Sequence, residues 1–161
     1  MTISFKDKVV IVTGAGGGLG RSHSLEFAKR GAKVVVNDLG GSVDGSGGSS
    51  DAANNVVKEI TEAGGVAIPN GSSVTDDDGV KNMVDQTMDE FGRIDILINN
   101  AGILRDRSFT KMTMEDFTLV TDIHLMGSVK RLSRNNISRS EFTECAGSIT
   151  LRQFSCGLDS Y

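Results

Sequence analysis

Little in this chain points to metal, disulfide or membrane chemistry. Its two cysteines, Cys145 and Cys156, lie late, form no CxxC pair and have no partnering histidine. That indicates neither a disulfide framework nor a metal site, and makes a reducing intracellular compartment the expectation. No apolar run approaches the ~20 residues of a membrane span, and Met1 to Lys8 contain no signal-peptide core. Positive charge is also short: 17 Lys and Arg against 21 Asp and Glu leave a net charge of −4, with no basic stripe to mark a nucleic-acid footprint. The single proline, Pro69, follows a predicted third strand, where a lost N–H costs little. The single tyrosine is Tyr161, and that scarcity bears on catalysis. At 161 residues the chain suits one domain with a single core, burying about 70% of the surface of its unfolded form.

Glycine, by contrast, is plentiful, and it is concentrated in Thr13-Gly14-Ala15-Gly16-Gly17-Gly18-Leu19-Gly20. A β-branched run, Val9 to Val12, precedes this stretch. A segment with helical spacing through Leu19, His23 and Phe27, with Leu25 and Ala28 beside them, follows it. Strand, glycine turn and helix in that order aim backbone N–H groups and a helix N-terminus at one point, an anion site suited to a pyrophosphate. A literal G-x-G-x-x-G fails, because its last place falls on Leu19. T-G-x-x-x-G-x-G fits, through Thr13, Gly14, Gly18 and Gly20.

The helix is expected to end near Arg30-Gly31. A second strand, Val34 to Val36, then leads to Asp38, 18 residues after Gly20. A carboxylate there can accept from both ribose hydroxyls of an adenosine and would repel a 2′-phosphate. No Lys or Arg follows it closely, so NAD is favoured over NADP. Leu39 to Asp51 reads as a Gly/Ser loop, with Asp51 a possible N-cap of a second helix carrying Val56, Val57 and Ile60. Val66 to Ile68 form a third strand. A third helix carries Val80, Met83, Val84, Met88 and Phe91 on one stripe, and Ile94 to Ile98 make strand four. The alternation predicts an α/β fold: a Rossmann-type, doubly wound parallel sheet of order 3-2-1-4. Its ligand edge then gathers Thr13 to Gly20, Asp38, Ser72, Ser73 and Asn99 to Gly102.

These residues resemble the short-chain dehydrogenase/reductase family. Thr13-Gly14-x-x-x-Gly18-x-Gly20 is similar to its cofactor loop, and Asn99-Asn100-Ala101-Gly102 to its N-N-A-G signature. The run Val36 to Gly41, the run Asn99 to Phe109 and His124 to Ser128 narrow the resemblance. They match the (3R)-hydroxyacyl-CoA dehydrogenase domains of peroxisomal multifunctional β-oxidation enzymes, over about residues 5–129. The resemblance implies NAD-dependent oxidation of a 3-hydroxyacyl-CoA, an acyl-CoA substrate, a homodimer for the full-length family and a peroxisomal setting. It implies cofactor contacts from Thr13, Gly14, Gly16, Gly18, Leu19, Gly20, Asp38, Ser72, Ser73, Asn99, Ala101 and Gly102. Ser72 stands where the subgroup has an aspartate beside the adenine. His124 stands where most of the family has an asparagine that helps relay protons, and a packed histidine is the alternative. His23 reads as packed.

Family chemistry uses Tyr-x-x-x-Lys with an upstream serine, the lysine lowering the tyrosine pKa. Residues 1–161 contain no such pair, so no catalytic residue is assigned. Ser148 precedes Tyr161 by the family's 13-residue interval, but Phe142 to Gly147 are not the apolar strand that should deliver it. From Val129 the sequence loses apolar residues and gains Ser and Arg. Residues 1–128 therefore read as the NAD-binding half and residues 129–161 as a divergent, loosely packed tail, with Ile149 to Phe154 its one short strand. Strand four is expected to be left as an edge. Two readings follow: a dehydrogenase lineage, or a non-catalytic NAD-binding fragment from a truncated or frame-shifted reading frame. The ending Asp159-Ser160-Tyr161 is not a Ser-Lys-Leu peroxisomal address.

Overall fold

The structure, a computed structural model, describes residues 3–41, 45, 51–134 and 148–149. Among the described residues five strands, β1 (Val9–Thr13), β2 (Lys33–Asn37), β3 (Val66–Asn70), β4 (Ile96–Ile98) and β5 (Ser148–Ile149), form one parallel sheet of order β3-β2-β1-β4-β5. The connecting helices are α1 (Gly18–Lys29), α2 (Asp51–Glu62) and α3 (Asp77–Phe91). After β4 come a 3₁₀ turn (Phe109–Lys111), α4 (Met114–Thr121), a π-helical turn (Asp122–Met126) and α5 (Gly127–Arg134).

The β-branched runs form strands buried on both faces, as a sheet with helices on either side requires. Alternation then sorts their side chains. Val10, Val12, Val34, Val36 and Ile98 pack with Ala28 of α1 and with Ala53, Val56 and Ile60 of α2. Ile11, Val35 and Leu97 face the other way, onto Met83 of α3, Val74 and Ile123. Helices therefore cover both faces and the doubly wound reading holds.

Several local expectations are corrected. Strand four is not left as an edge, because Leu97 and Ile98 pair with Ser148 and Ile149. Residues 150–154 of the predicted tail strand, and most of the tail, lie outside the described residues. Pro69 is inside β3 rather than after it; β3 is the sheet's outer strand on that side, and the Pro69 carbonyl accepts from Gln86 Nε2 at 3.1 Å. Asp51 is the first residue of α2, not a cap outside it.

The buried stripe of α1 is Gly20, Ser24 and Ala28, one residue on from the Leu19, His23, Phe27 stripe, and Leu19 is 55% exposed. Only small side chains allow the helix to lie so close to the strand ends. On α3, Met88 is partly exposed while Thr87 is buried, its hydroxyl donating to the Met83 carbonyl at 2.6 Å. That bond removes the usual penalty of a buried hydroxyl. Gly31 and Gly92 follow α1 and α3 at φ 92° and 72°, left-handed geometry that glycine adopts freely.

The register has one consequence for the site. Thr13 pairs with Asn37 and Asn37 with Asn70, so the C-terminal end of three adjacent strands is a row of buried polar side chains.

A candidate dinucleotide cleft at the switch point

β1 and β4 are neighbours although β2 and β3 lie between them in sequence, so the chain winds outward on one side of β1, crosses over, and winds the other way from β4. A crevice opens outside the strand ends at such a point. Here it is a cleft of about 570 Å³.

Its floor is the glycine turn. Gly14 and Gly18 have φ of 62° and 50°. A Cβ on Gly14 would come within 2.8 Å of Ala101 Cα, while one on Gly17 or Gly18 would meet nothing, since both face the open cleft. The Ala15 N–H donates to the Asn37 carbonyl at 3.0 Å, and the Gly16 N–H to Asp38 Oδ2 at 2.7 Å. α1 starts with Gly17 as its N-cap, has no side-chain cap and has no acidic residue in its first turn. Its first-turn amides and the positive end of its dipole therefore face the cleft with no acidic side chain of the helix's own first turn among them, and the Asp38 carboxylate is held one residue before the cap, on the Gly16 N–H. This fits a pyrophosphate.

Asp38 forms one wall. Its Oδ1 accepts from the Gly40 N–H at 2.7 Å, so each carboxylate oxygen holds one backbone amide. An ionised carboxylate has about four acceptor positions, which leaves capacity on both oxygens for a vicinal diol. No Lys or Arg occurs between Asp38 and Asp51.

The opposite wall is the Asn99–Gly102 segment. Thr13, fully buried, clasps it: its Oγ1 donates to the Ile98 carbonyl at 3.3 Å and accepts from the Asn100 and Ala101 N–H groups at 3.1 Å each. Asn100 Nδ2 donates to the carbonyls of Thr13 and Gly14 at 2.9 and 3.0 Å, tying the segment to the glycine turn. A Cβ on Gly102 would come within 2.6 Å of the His124 ring. His124 lies in the π-helical turn, a feature frequent at functional sites, and its Nε2 sits 3.1 Å from Ile103 N and 3.0 Å from Ile103 O. It is a packed histidine that holds the backbone just past Gly102.

The far end of the cleft is bounded by Ser72, Ser73 and Val74. Ser73 Oγ lies 2.9 Å from Thr75 Oγ1, and Ser72 Oγ donates to Asn82 Oδ1 at 3.0 Å. Of the residues expected from the sequence, Gly14, Gly18, Leu19, Asp38, Ser72, Ser73, Ala101 and Gly102 line the cleft. Thr13, Gly16, Gly20 and Asn99 do not. Thr13 and Gly16 act through the bonds just described. Gly20 packs against the Gly14 carbonyl, and Asn99 is buried. Asn100, inside the expected Asn99–Gly102 stretch, lines it too, while the sequence reading missed Asn37 and Ile103, which line it, as do Leu119 of α4 and Ile123. Asn37 and Ile103 were each adjacent to a residue singled out, Asp38 and Gly102. Leu119 and Ile123 had no sequence signal, because their approach depends on how α4 packs.

A doubly wound sheet with a glycine turn, an acidic residue closing its second strand and a cleft at its switch point is the architecture of dinucleotide-binding proteins. The chain belongs to the short chain dehydrogenase family, whose profile matches residues 8–135. It is 56% identical to peroxisomal multifunctional enzyme A of Dictyostelium discoideum over 160 residues, 98% of this chain and 35% of that protein. It is 58% identical to the peroxisomal hydratase-dehydrogenase-epimerase of Saccharomyces cerevisiae over 132 residues, 82% of this chain and 14% of that protein. The chain thus spans about a third or less of these relatives. Among solved structures, a short chain dehydrogenase from Mycobacterium avium matches at 49% identity and a TM-score of 0.72, covering 80% of this chain and 44% of that one. A 7 alpha-hydroxysteroid dehydrogenase complexed with NADH and 7-oxo glycochenodeoxycholic acid matches at 32% identity and a TM-score of 0.72, covering 81% and 47%.

Proposed function

We propose that these residues form the NAD(H)-binding half of a peroxisomal-type dehydrogenase that oxidises 3-hydroxyacyl-CoA to 3-ketoacyl-CoA in fatty-acid β-oxidation. The carrying observation is the cleft itself: the uncapped α1 N-terminus, the Asp38 carboxylate and the Asn99–Gly102 wall meet at one switch point. Gly17, Gly18 and Leu19 would hold the pyrophosphate, Asp38 the adenosine ribose and Ser72 the adenine. A bound nicotinamide dinucleotide supplies the hydride acceptor. The chain's own contribution is to hold that group and to position its far end beside Ala101 and Gly102. The named relatives support the substrate class and the compartment. The homodimer and the roles of Thr13, Gly16, Gly20 and Asn99, as supports behind the cofactor, are carried by the family resemblance and by their packing.

Hydride removal from a carbinol also needs a base for its proton. The 161 residues contain one tyrosine, Tyr161, and no Tyr-x-x-x-Lys pair, so this polypeptide binds the cofactor without turning over. The alignment with the Dictyostelium protein runs through 98% of the chain, beyond the profile's end at residue 135. That supports reading residues 129–161 as a divergent segment of the same lineage rather than an out-of-frame one. Calorimetric titration of the 161-residue polypeptide with NAD⁺ and NADH tests the first claim; absence of binding by either refutes it. An assay with NAD⁺ and a 3-hydroxyacyl-CoA tests the second. Turnover near the ~10 s⁻¹ typical of enzymes would overturn it and make Ser148 and Tyr161 candidates.

A further inference from the structure

The polar row at the end of β2 and β3 continues into a chain of side-chain amides whose direction is fixed by backbone groups. Asn37 Nδ2 lies 2.8 Å from the Ser72 carbonyl, an obligate acceptor, so that atom is the amide nitrogen. It donates to Asn70 Oδ1 at 2.7 Å, and the same oxygen accepts from the Ser72 N–H at 3.1 Å. The other end of Asn70 is therefore its nitrogen, donating to Gln86 Oε1 at 2.7 Å and facing Asn82 Oδ1 at 3.4 Å. Gln86 is fixed independently, since its Nε2 donates to the Pro69 carbonyl at 3.1 Å. Turning the Asn82 amide over would set two NH₂ groups against each other. Asn82 therefore presents its oxygen, and Ser72 Oγ, 3.0 Å away, donates its one proton to it.

The hydroxyl that lines the far end of the cleft thus has only lone pairs left to offer. We infer that Asn82, which does not line the cleft, is a positioning residue that makes Ser72 an acceptor and so selects a 6-amino purine over a 6-oxo purine. A 6-amino group donates to those lone pairs, whereas a 6-oxo group sets oxygen against oxygen. An aspartate at residue 72 would be an acceptor by its own charge. Serine becomes one only because its proton is taken from behind.

The inference rests on the cleft holding an adenine nucleotide, and the test separates the two. The 161-residue polypeptide is titrated with NAD⁺ and with nicotinamide hypoxanthine dinucleotide, which differ only at that purine. NAD⁺ is expected to bind about five- to tenfold tighter, the worth of one hydrogen bond. Asn82→Leu frees the Ser72 proton and brings the ratio close to one. Asn82→Asp keeps an acceptor and keeps the ratio. Ser72→Ala also collapses it and serves should Asn82→Leu not fold. The ratio is insensitive to a general loss of affinity, which a merely structural role would produce. Equal binding of the two dinucleotides by the unaltered chain, or an undiminished ratio in Asn82→Leu, overturns the inference while the nucleotide reading stands. Failure of both dinucleotides to bind overturns both.

Discussion

Gly20→Ala sets two effects of opposite sign against each other. Alanine is favoured over glycine in a helix by up to ~1 kcal/mol, less in the first turn where residue 20 lies. The packing opposes it. A methyl group there would overlap the Gly14 carbonyl oxygen and come within 2.6 Å of Asn100 Nδ2, and the obstacle on one side is backbone. α1 would have to retreat from the strand ends, or the glycine turn would have to move. Overpacking of this kind costs ~1–3 kcal/mol. Asn100 would also lose its grip on the Thr13 and Gly14 carbonyls, at ~1 kcal/mol per bond. The balance is a net loss of ~2–4 kcal/mol. At an m-value near ~2 kcal/mol/M that lowers the urea midpoint by about 1–2 M. Gly17→Ala is the control: φ is −160°, and an added Cβ meets nothing within 4 Å, so stability should hold within ~0.5 kcal/mol. Urea unfolding followed by circular dichroism reads both. A Gly20→Ala midpoint equal to or above that of the unaltered chain would show that α1 does not press on the turn, and the account of the cleft floor would fail.

Three further outcomes are expected. Asp38 should make NAD(H) bind more tightly than NADP(H), and Asp38→Ala should weaken NAD(H) by ~1.5–3 kcal/mol while narrowing the preference; calorimetry with both cofactors checks this, and a variant that discriminates as before refutes it. Asp95, at the opposite end of the sheet, gives an acid-side signature. Burial alone would push its carboxyl up, but hydrogen bonds from Arg93, the Val9 N–H and Lys8 outweigh burial and hold it below the usual aspartate range. A lowered folded-state pKa contributes stability that is present above the unfolded value of ~3.9 and lost as pH falls through the folded one. Stability curves of the unaltered chain and Asp95→Asn should therefore be apart at pH 7 and converge below about pH 4, as urea midpoints measured from pH 7 to pH 2.5 would show. Gly92→Ala, at φ 72° with open space around it, should cost ~1 kcal/mol through backbone strain alone; an unchanged melting temperature would count against the left-handed end of α3.

The sequence by itself determined the alternation of strands and helices, the doubly wound class and the edge on which the ligand residues lie. Each of these follows from local pattern. β-branched runs make buried strands, helical spacing makes the crossovers, and a glycine turn between them has few other uses. It also marked Asp38 and Asn99–Gly102, because a residue type at a strand end carries its chemistry wherever the strand goes. Tertiary structure decided what lies between those marks. Whether α1 buries Leu19 or Gly20 depends on how near the helix must lie to the Gly14 carbonyl, a distance no periodicity contains. Whether β4 is an edge depends on Ser148 and Ile149 reaching it from some 50 residues away. The proton of Ser72 is directed by Asn82 through a line of amides starting at Asn37, on another strand. Ser72 and Asn82 are ten positions apart and Asn37 lies 33 before Asn70, so only the register of β2 against β3 and the packing of α3 set their polarity.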